Sequence, residues 1–198
     1  MHIHRYGHDA LLVEVADASE ALALYRAARA EGLQARDVVP AARTVLFSGC
    51  SDPERLVTEL ARLTLEWPAA SEGPAVEVPT TYDGPDLEDV ARRWDMTVAE
   101  TVATHTSVDF VVAFCGFAPG FAYCTGLPAS LAVPRHPDPR PRVPVGAVGL
   151  AGTFTGVYPT ASPGGWRLLG RTELLLWDAD RAEPATLAPG NRVRFVEA

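Results

Sequence analysis

The sequence predicts an α+β protein in two parts, a small α/β unit of ferredoxin-like type over residues 1–80 and a β-barrel over residues 81–198. The first part carries the order β-α-β-α-β. The second opens with two compact helices and then changes character at about Asp109, where helical spacing gives way to short apolar runs separated by turn residues. The run from Phe114 to Thr172 holds most of the sixteen glycines and about half of the seventeen prolines. A disordered linker would lack its interleaved aromatics Phe117, Phe121, Tyr123, Tyr158 and Trp166.

Taken in order, Ala10–Val15 is an apolar run suited to a strand. Ser19–Glu31 is rich in Ala and Leu, with Asp17 or Ser19 to cap it and Gly32 to end it. Thr44-Val45-Leu46-Phe47 reads as a strand. Asp52 and Pro53 then open a helix with Leu56, Leu60 and Leu63 on one face. Val76–Val78 is expected to return as a further strand of this unit, and Pro68–Pro74 to be a short linker. Pro85 starts a helix whose face is Leu87, Val90, Ala91 and Trp94. Thr97 and Glu100 form a capping box for the next, which puts Val98, Val102 and His105 on one face. Strands are expected at Phe110–Phe114, Val145–Leu150, Trp166–Leu169, Glu173–Trp177 and Arg192–Val196. So many short strands hide their edges best by closing into a barrel.

Composition excludes several function classes. The formal charge of −8 opposes binding to a nucleic-acid backbone. Leu87–Thr104 has the outline of a helix-turn-helix, yet its second helix carries Glu100 and no arginine, so a DNA reader is disfavoured. All seventeen basic residues are arginine, which rules out a Schiff-base or Walker-type lysine. No apolar run approaches the ~20 residues that cross a bilayer. The start, MHIHRYGHDA, has no secretory apolar region. Cys50, Cys115 and Cys124 make neither a disulfide framework nor a metal motif, and a reducing cytoplasm fits best.

Four places carry candidate chemistry. His105 ends a helix, whose C-terminal dipole favours the imidazolium; it is a candidate acid, base or anion ligand, or else a half-buried side chain that satisfies the last carbonyls. Gly116–Phe121 sets two aromatics around Pro119-Gly120 after a strand, a turn that lines a pocket at Gly120 or docks a partner through Phe117 and Phe121. Arg135, Arg140 and Arg142 sit among prolines that stiffen the loop, so Arg135 and Arg140 are candidates to grip a carboxylate or phosphate; Arg142 reads as a spectator. Gly149–Arg171 holds Thr155, Tyr158, Ser162 and Arg171 among glycines, with Trp166 as a further anchor for a partner. Neither a G-x-S-x-G elbow nor a P-loop is present, so no complete hydrolytic set stands in the chain.

A family resemblance rests on these same residues. Tyr82-Asp83-Gly84-Pro85-Asp86-Leu87, His105-Thr106-Ser107, Gly116-Phe117-Ala118-Pro119-Gly120-Phe121, Pro134-Arg135, Pro139-Arg140, Val143-Pro144-Val145-Gly146, Ala151-Gly152, Thr155-Gly156-Val157-Tyr158-Pro159, Ser162-Pro163-Gly164-Gly165-Trp166 and Gly170-Arg171-Thr172 follow in order. The string resembles the family of KipI, the B subunit of 5-oxoprolinase and allophanate hydrolase subunit 1, closely over about residues 76–178. The resemblance implies a cyclophilin-like β-barrel. It also implies one component of a heteromeric enzyme that opens 5-oxoproline to glutamate with ATP, the ATP belonging to the complex. The implied partners are the C subunit of 5-oxoprolinase, also called allophanate hydrolase subunit 2 or KipA, and a LamB/YcsF-like protein as its A subunit. In that scheme His105 is catalytic, while Arg135, Arg140, Thr155, Tyr158, Arg171 and Gly120 bind substrate. The KipI side of the resemblance implies instead a protein that inhibits a sensor histidine kinase. Two positions depart from the family, which usually has Gln where Phe154 stands and often Ser where Ala147 stands. Both departures remove polar groups from the expected pocket.

Overall fold

The computed structural model describes residues 1–65 and 74–198, so the expected linker falls, Pro74 apart, outside the described residues. The chain forms two compact units, Met1–Glu72 and Gly73–Ala198.

In the first unit, strands β1 (His2–Arg5), β2 (Leu11–Glu14), β3 (Asp37–Pro40) and β4 (Thr44–Ser48) make one antiparallel sheet in the order β1-β2-β4-β3. Alternation puts Leu11, Val13, Val45 and Phe47 on one face. Helix α1 (Ala18–Ala30) buries Ala21, Leu24 and Ala28 against that face, and α2 (Pro53–Leu60) adds Leu56 and Leu60. Both helices start as the sequence indicates. Asp17 accepts from the Ser19 and Glu20 amides, and Asp52 accepts from the Arg55 amide.

The arrangement is the expected ferredoxin-like type with one correction. The outer place beside β2 is filled by the N-terminal strand β1, not by the segment around Val76–Val78. That segment, β5 (Ala75–Thr80), pairs along its whole length in parallel with β13 (Arg192–Glu197). Its backbone therefore belongs to the second unit, and the expected division at residue 80 moves to before β5.

The second unit continues with α3 (Leu87–Trp94), α4 (Val98–Ser107), β6 (Phe110–Cys115), β7 (Ala122–Thr125), β8 (Arg140–Val143), β9 (Ala147–Ala151), β10 (Phe154–Val157), β11 (Ser162–Gly164) and β12 (Arg167–Arg171). Seven strands form one sheet in the order β12-β9-β10-β7-β6-β13-β5. Its two edges meet, because Thr81 and Arg171 exchange both backbone hydrogen bonds at 2.9 Å, and the sheet closes there into the expected barrel. The seam is tight. A Cβ on Gly170 would lie 2.2 Å from the Thr81 carbonyl oxygen, so only glycine permits the approach.

Phe110, Val112, Val148, Leu150, Leu169, Val193 and Phe195 fill the core, joined by Leu87, Val90 and Trp94 of α3 and Val102 of α4. The capping box of α4 is complete, but Val98 on its first turn is exposed. The strand expected at Glu173–Trp177 is absent, and that stretch makes only an isolated bridge from Trp177 to Ala185. Strands β8 and β11 pair as a separate ribbon. Beneath it lies a second cluster containing Phe121, Val143, Tyr158, Trp166 and Leu168. Among the described residues no helix is long and apolar enough to cross a membrane.

Candidate functional site

His105 lies in the last turn of α4 and is completely buried, against Phe110 and Phe195 with ring centroids at 5.2 and 4.7 Å. Burial drives its pKa down to about 3, opposite to the direction expected from the helix dipole. Desolvation of a whole imidazolium outweighs the partial charge of one helix end. The ring is neutral, and its neighbours fix the tautomer. Tyr82, whose phenol burial and then Glu197 hold protonated, donates to Nδ1 at 2.7 Å. The Thr155 hydroxyl donates to the Gly149 carbonyl at 3.1 Å, so Thr155 Oγ1 accepts the Nε2 proton, also at 3.1 Å. His105 and Thr155 are thus brought together, but in the barrel interior with Thr155 fully buried.

Arg140 is committed elsewhere. Its Nη2 donates to both oxygens of Asp86 at 2.8 and 2.9 Å. Asp86 is buried and also accepts from the Leu168 amide at 2.7 Å and from His136 Nε2 at 2.9 Å. Burial pushes the Asp86 carboxyl up, but those three donors together outweigh it and hold the group below the usual carboxylate range. Arg167 donates to the Pro134 carbonyl at 3.2 Å and pairs with Asp89 at 3.0 Å, and the His136 amide donates to the Gly165 carbonyl at 2.7 Å. The proline loop is therefore clamped to the barrel on both sides of Arg135.

Arg135 itself is exposed, with Cζ 6.0 Å from the Trp166 ring centroid. Around Trp166 stand Phe121, Tyr123 and Tyr158, with Phe121 within 5.3 Å of the other three ring centroids. Tyr123 and Phe154 are half-buried at the edge of this cluster. Of the three aromatics expected to meet a partner, Phe121 and Trp166 are buried, and only Phe117 is exposed, at 61%. Phe117 has φ +71°, and the Ala118 amide bonds back to the Gly116 carbonyl at 2.9 Å. This is a γ-turn in the left-handed region, an unfavourable conformation for a bulky side chain.

Gly120 owes its identity to packing. With φ +83°, a Cβ there would sit 2.9 Å from Trp177 Cβ. Tyr158, though its ring is buried, floors a groove of about 610 Å³ that also holds Arg171, Val145, Leu175 and Leu176. Arg171 is exposed there and paired with Asp83 at 2.9 Å. The exposed Val145, Leu175 and Trp177 border the groove or the Gly116–Phe121 turn, and sequence pattern alone does not single them out as a group. Nor does it mark Tyr82, Asp86 and His136 as hubs, although Tyr82 and Asp86 lie in the run Tyr82–Leu87 that carries the family resemblance.

The N-termini of α1, α2 and α4 are already capped, by Asp17, by Asp52 and by Thr97 with Glu100, so these amides are not open to the phosphates of ATP. Among the described residues no group of three or more His, Cys, Asp or Glu side chains is arranged to hold a metal.

Comparison with known proteins accords with this architecture. The B subunit of 5-oxoprolinase from Escherichia coli O157:H7 is 44% identical over 153 residues, covering 73% of this chain and 70% of that protein. The protein of the same name from Bacillus subtilis (strain 168) is 44% identical over 124 residues, 61% of this chain and 52% of its own length. The crystal structure of TTHA0988 superimposes with a TM-score of 0.79 at 36% identity and covers 96% of this chain, which spans only 40% of that longer one. The family described as carboxyltransferase domain, subdomain C and D, matches residues 1–187, and this chain belongs to it.

Proposed function

We propose that the chain is one component of a 5-oxoprolinase-type complex that opens 5-oxoproline to glutamate with ATP in the cytoplasm. The observation that carries this reading is the 44% identity to proteins named as the B subunit of 5-oxoprolinase. The geometry supports a shared site. His105 is buried and neutral, Arg140 is engaged by Asp86, and no activated nucleophile faces solvent among the described residues. ATP then belongs to another component of the complex. A protein like KipA, the C subunit of 5-oxoprolinase, is the expected partner, with a LamB/YcsF-like protein as the third component. The strained, exposed Phe117 with Val145, Leu175 and Trp177 offers the apolar face for docking.

The test is reconstitution. The purified chain, the KipA-like homologue and the LamB/YcsF-like homologue are assayed singly and mixed, with 5-oxoproline and ATP, for glutamate release. Turnover only by the mixture is expected. Robust turnover by this chain alone contradicts a shared site. Failure to bind any KipA-like protein moves the assignment to the KipI-like reading, inhibition of a sensor histidine kinase through the same exposed face.

A further inference from the structure

Among the described residues the two edges of the barrel sheet meet at one bridge, Thr81 to Arg171. Continued antiparallel pairing would set Pro79 against Glu173 and Glu77 against Leu175, but the ladder stops at the bridge. Beyond it lies the groove of about 610 Å³, whose walls take in Pro79 and Thr81 of one edge and Glu173, Leu174 and Leu175 of the other. Both edges leave backbone groups unused. The Arg192 amide donates to the Pro74 carbonyl and the Ala198 amide to the Thr80 carbonyl, which fixes the alternation along β5. Val76, Val78 and Thr80 direct their backbone groups to β13, and Ala75, Glu77 and Pro79 direct theirs to the open side, as Thr81 does at the bridge. Among the described residues the Ala75 and Glu77 amides make no hydrogen bond, nor do the Glu173 and Leu175 amides across the groove. All four residues are exposed.

We infer that this split seam is a strand-docking site, where an extended segment of a partner protein with alternating apolar and basic side chains adds to the open edge of β5. An extended chain is the ligand whose donors and acceptors repeat at the spacing of an open β edge. Val145 and Leu175, exposed and on the groove, meet its apolar side chains. Charge selects the rest. Glu77 and Glu173 are exposed and make no ion pair among the described residues, whereas Arg171 is paired with Asp83. A second copy of this chain does not fit, because two β5 edges paired antiparallel about Glu77 would set the two Glu77 side chains opposite each other. Pro79 leaves no donor unsatisfied on the edge. That the segment belongs to the KipA-like protein rests on the proposed function; the chemistry of the edge does not.

The experiment reads amide hydrogen exchange by NMR in the isotope-labelled full chain, alone, with the KipA-like homologue, and with an acetylated and amidated hexapeptide of alternating valine and lysine. A hexapeptide of alternating valine and glutamate is the charge control. The homologue and the lysine peptide are expected to slow exchange at Ala75 and Glu77 by about tenfold or more, and the glutamate peptide to leave both amides fast. Glu77→Pro removes the outward donor and none of the bonds to β13, as Pro79 does two residues on. It is expected to weaken binding about tenfold, while Glu77→Ala, which keeps the amide, retains the slowed exchange. Glu77→Lys keeps the backbone and is expected to transfer the preference to the glutamate peptide, a readout that does not depend on the folding of Glu77→Pro. Fast exchange at Ala75 and Glu77 with both the homologue and the lysine peptide, full affinity in a folded Glu77→Pro, or an unchanged peptide preference in Glu77→Lys overturns the site. A complex that forms and turns over 5-oxoproline with both amides still fast sinks the site and leaves the function standing. Slowed exchange with the lysine peptide and no binding of the KipA-like protein does the reverse.

Discussion

His105 Nε2 lies 3.1 Å from Thr155 Oγ1, and the Thr155 hydroxyl proton is already directed to the Gly149 carbonyl. With Tyr82 donating at the other end, the chain of hydrogen bonds runs one way and terminates on backbone. A proton that entered it would have no exit. The arrangement joins α4, β10 and the segment after β5 inside the barrel, and it makes His105 a group whose charge the fold excludes.

Stability should therefore respond to acid through His105. Its pKa is near the ordinary 6.5 in the unfolded chain and about 3 when folded, so the unfolded state binds the extra proton. The stability contributed by neutral His105 is complete above pH 6.5. It declines as pH falls from there toward 3, with a limiting slope of about 1.4 kcal/mol per pH unit. Urea denaturation at pH 7, 6, 5 and 4.5 should show that decline, and His105→Gln, destabilised at pH 7 by about 2–4 kcal/mol, should lack most of it. Parallel curves for the two proteins would show that the imidazole titrates freely in the folded state.

Asp86 titrates in a separate, lower window. Its depressed carboxyl contributes stability that is present above the unfolded value near 3.8 and is lost as pH falls through the folded one. Asp86→Asn removes the charge from between Arg140 and His136 and presents an amide to donors. A loss of about 2–3 kcal/mol is expected at pH 7, by the scale for breaking a buried pair with one partner partly exposed. The same variant should accelerate hydrogen exchange across residues 134–144, because Asp86 holds that loop through Arg140 and His136. Unchanged exchange in that loop would assign its order to the prolines alone.

Much of this architecture is legible in the sequence, and the limits have physical causes. Helices α1, α2 and α4 announce themselves through Asp17, Asp52 and the Thr97–Glu100 box, because capping is local chemistry. β5 reads as a plausible strand for either unit, since its parallel partner β13 lies more than a hundred residues away and no local pattern specifies that pairing. Glu173–Trp177 has strand-like apolar content without a strand's partner. The arginines of the proline loop are visible as cations, but the pairing of Arg140 depends on Asp86, the N-cap of α3, far away in sequence. Phe117 looks interchangeable with Phe121 until the backbone turns one outward and buries the other.

Phe117 gives the clearest separation of fold from association. A residue with φ +71° and a bulky side chain is strained, and glycine adopts that conformation without the Cβ penalty of about 1 kcal/mol. Because the ring is 61% exposed, its removal forfeits only edge contacts with Phe121 and Tyr158, at 5.3 and 6.3 Å between centroids. Phe117→Gly is therefore expected to leave the melting temperature unchanged or raise it by a few degrees. Phe117→Ala keeps the unfavourable φ and should be the less stable of the two. Both should weaken binding to a KipA-like partner by tenfold or more if the exposed ring is an anchor at the interface. Calorimetric melting paired with a pull-down titration reads both effects. A Phe117→Gly protein that melts well below the parent would mean the ring holds the turn, and undiminished partner binding would remove this face from the interface.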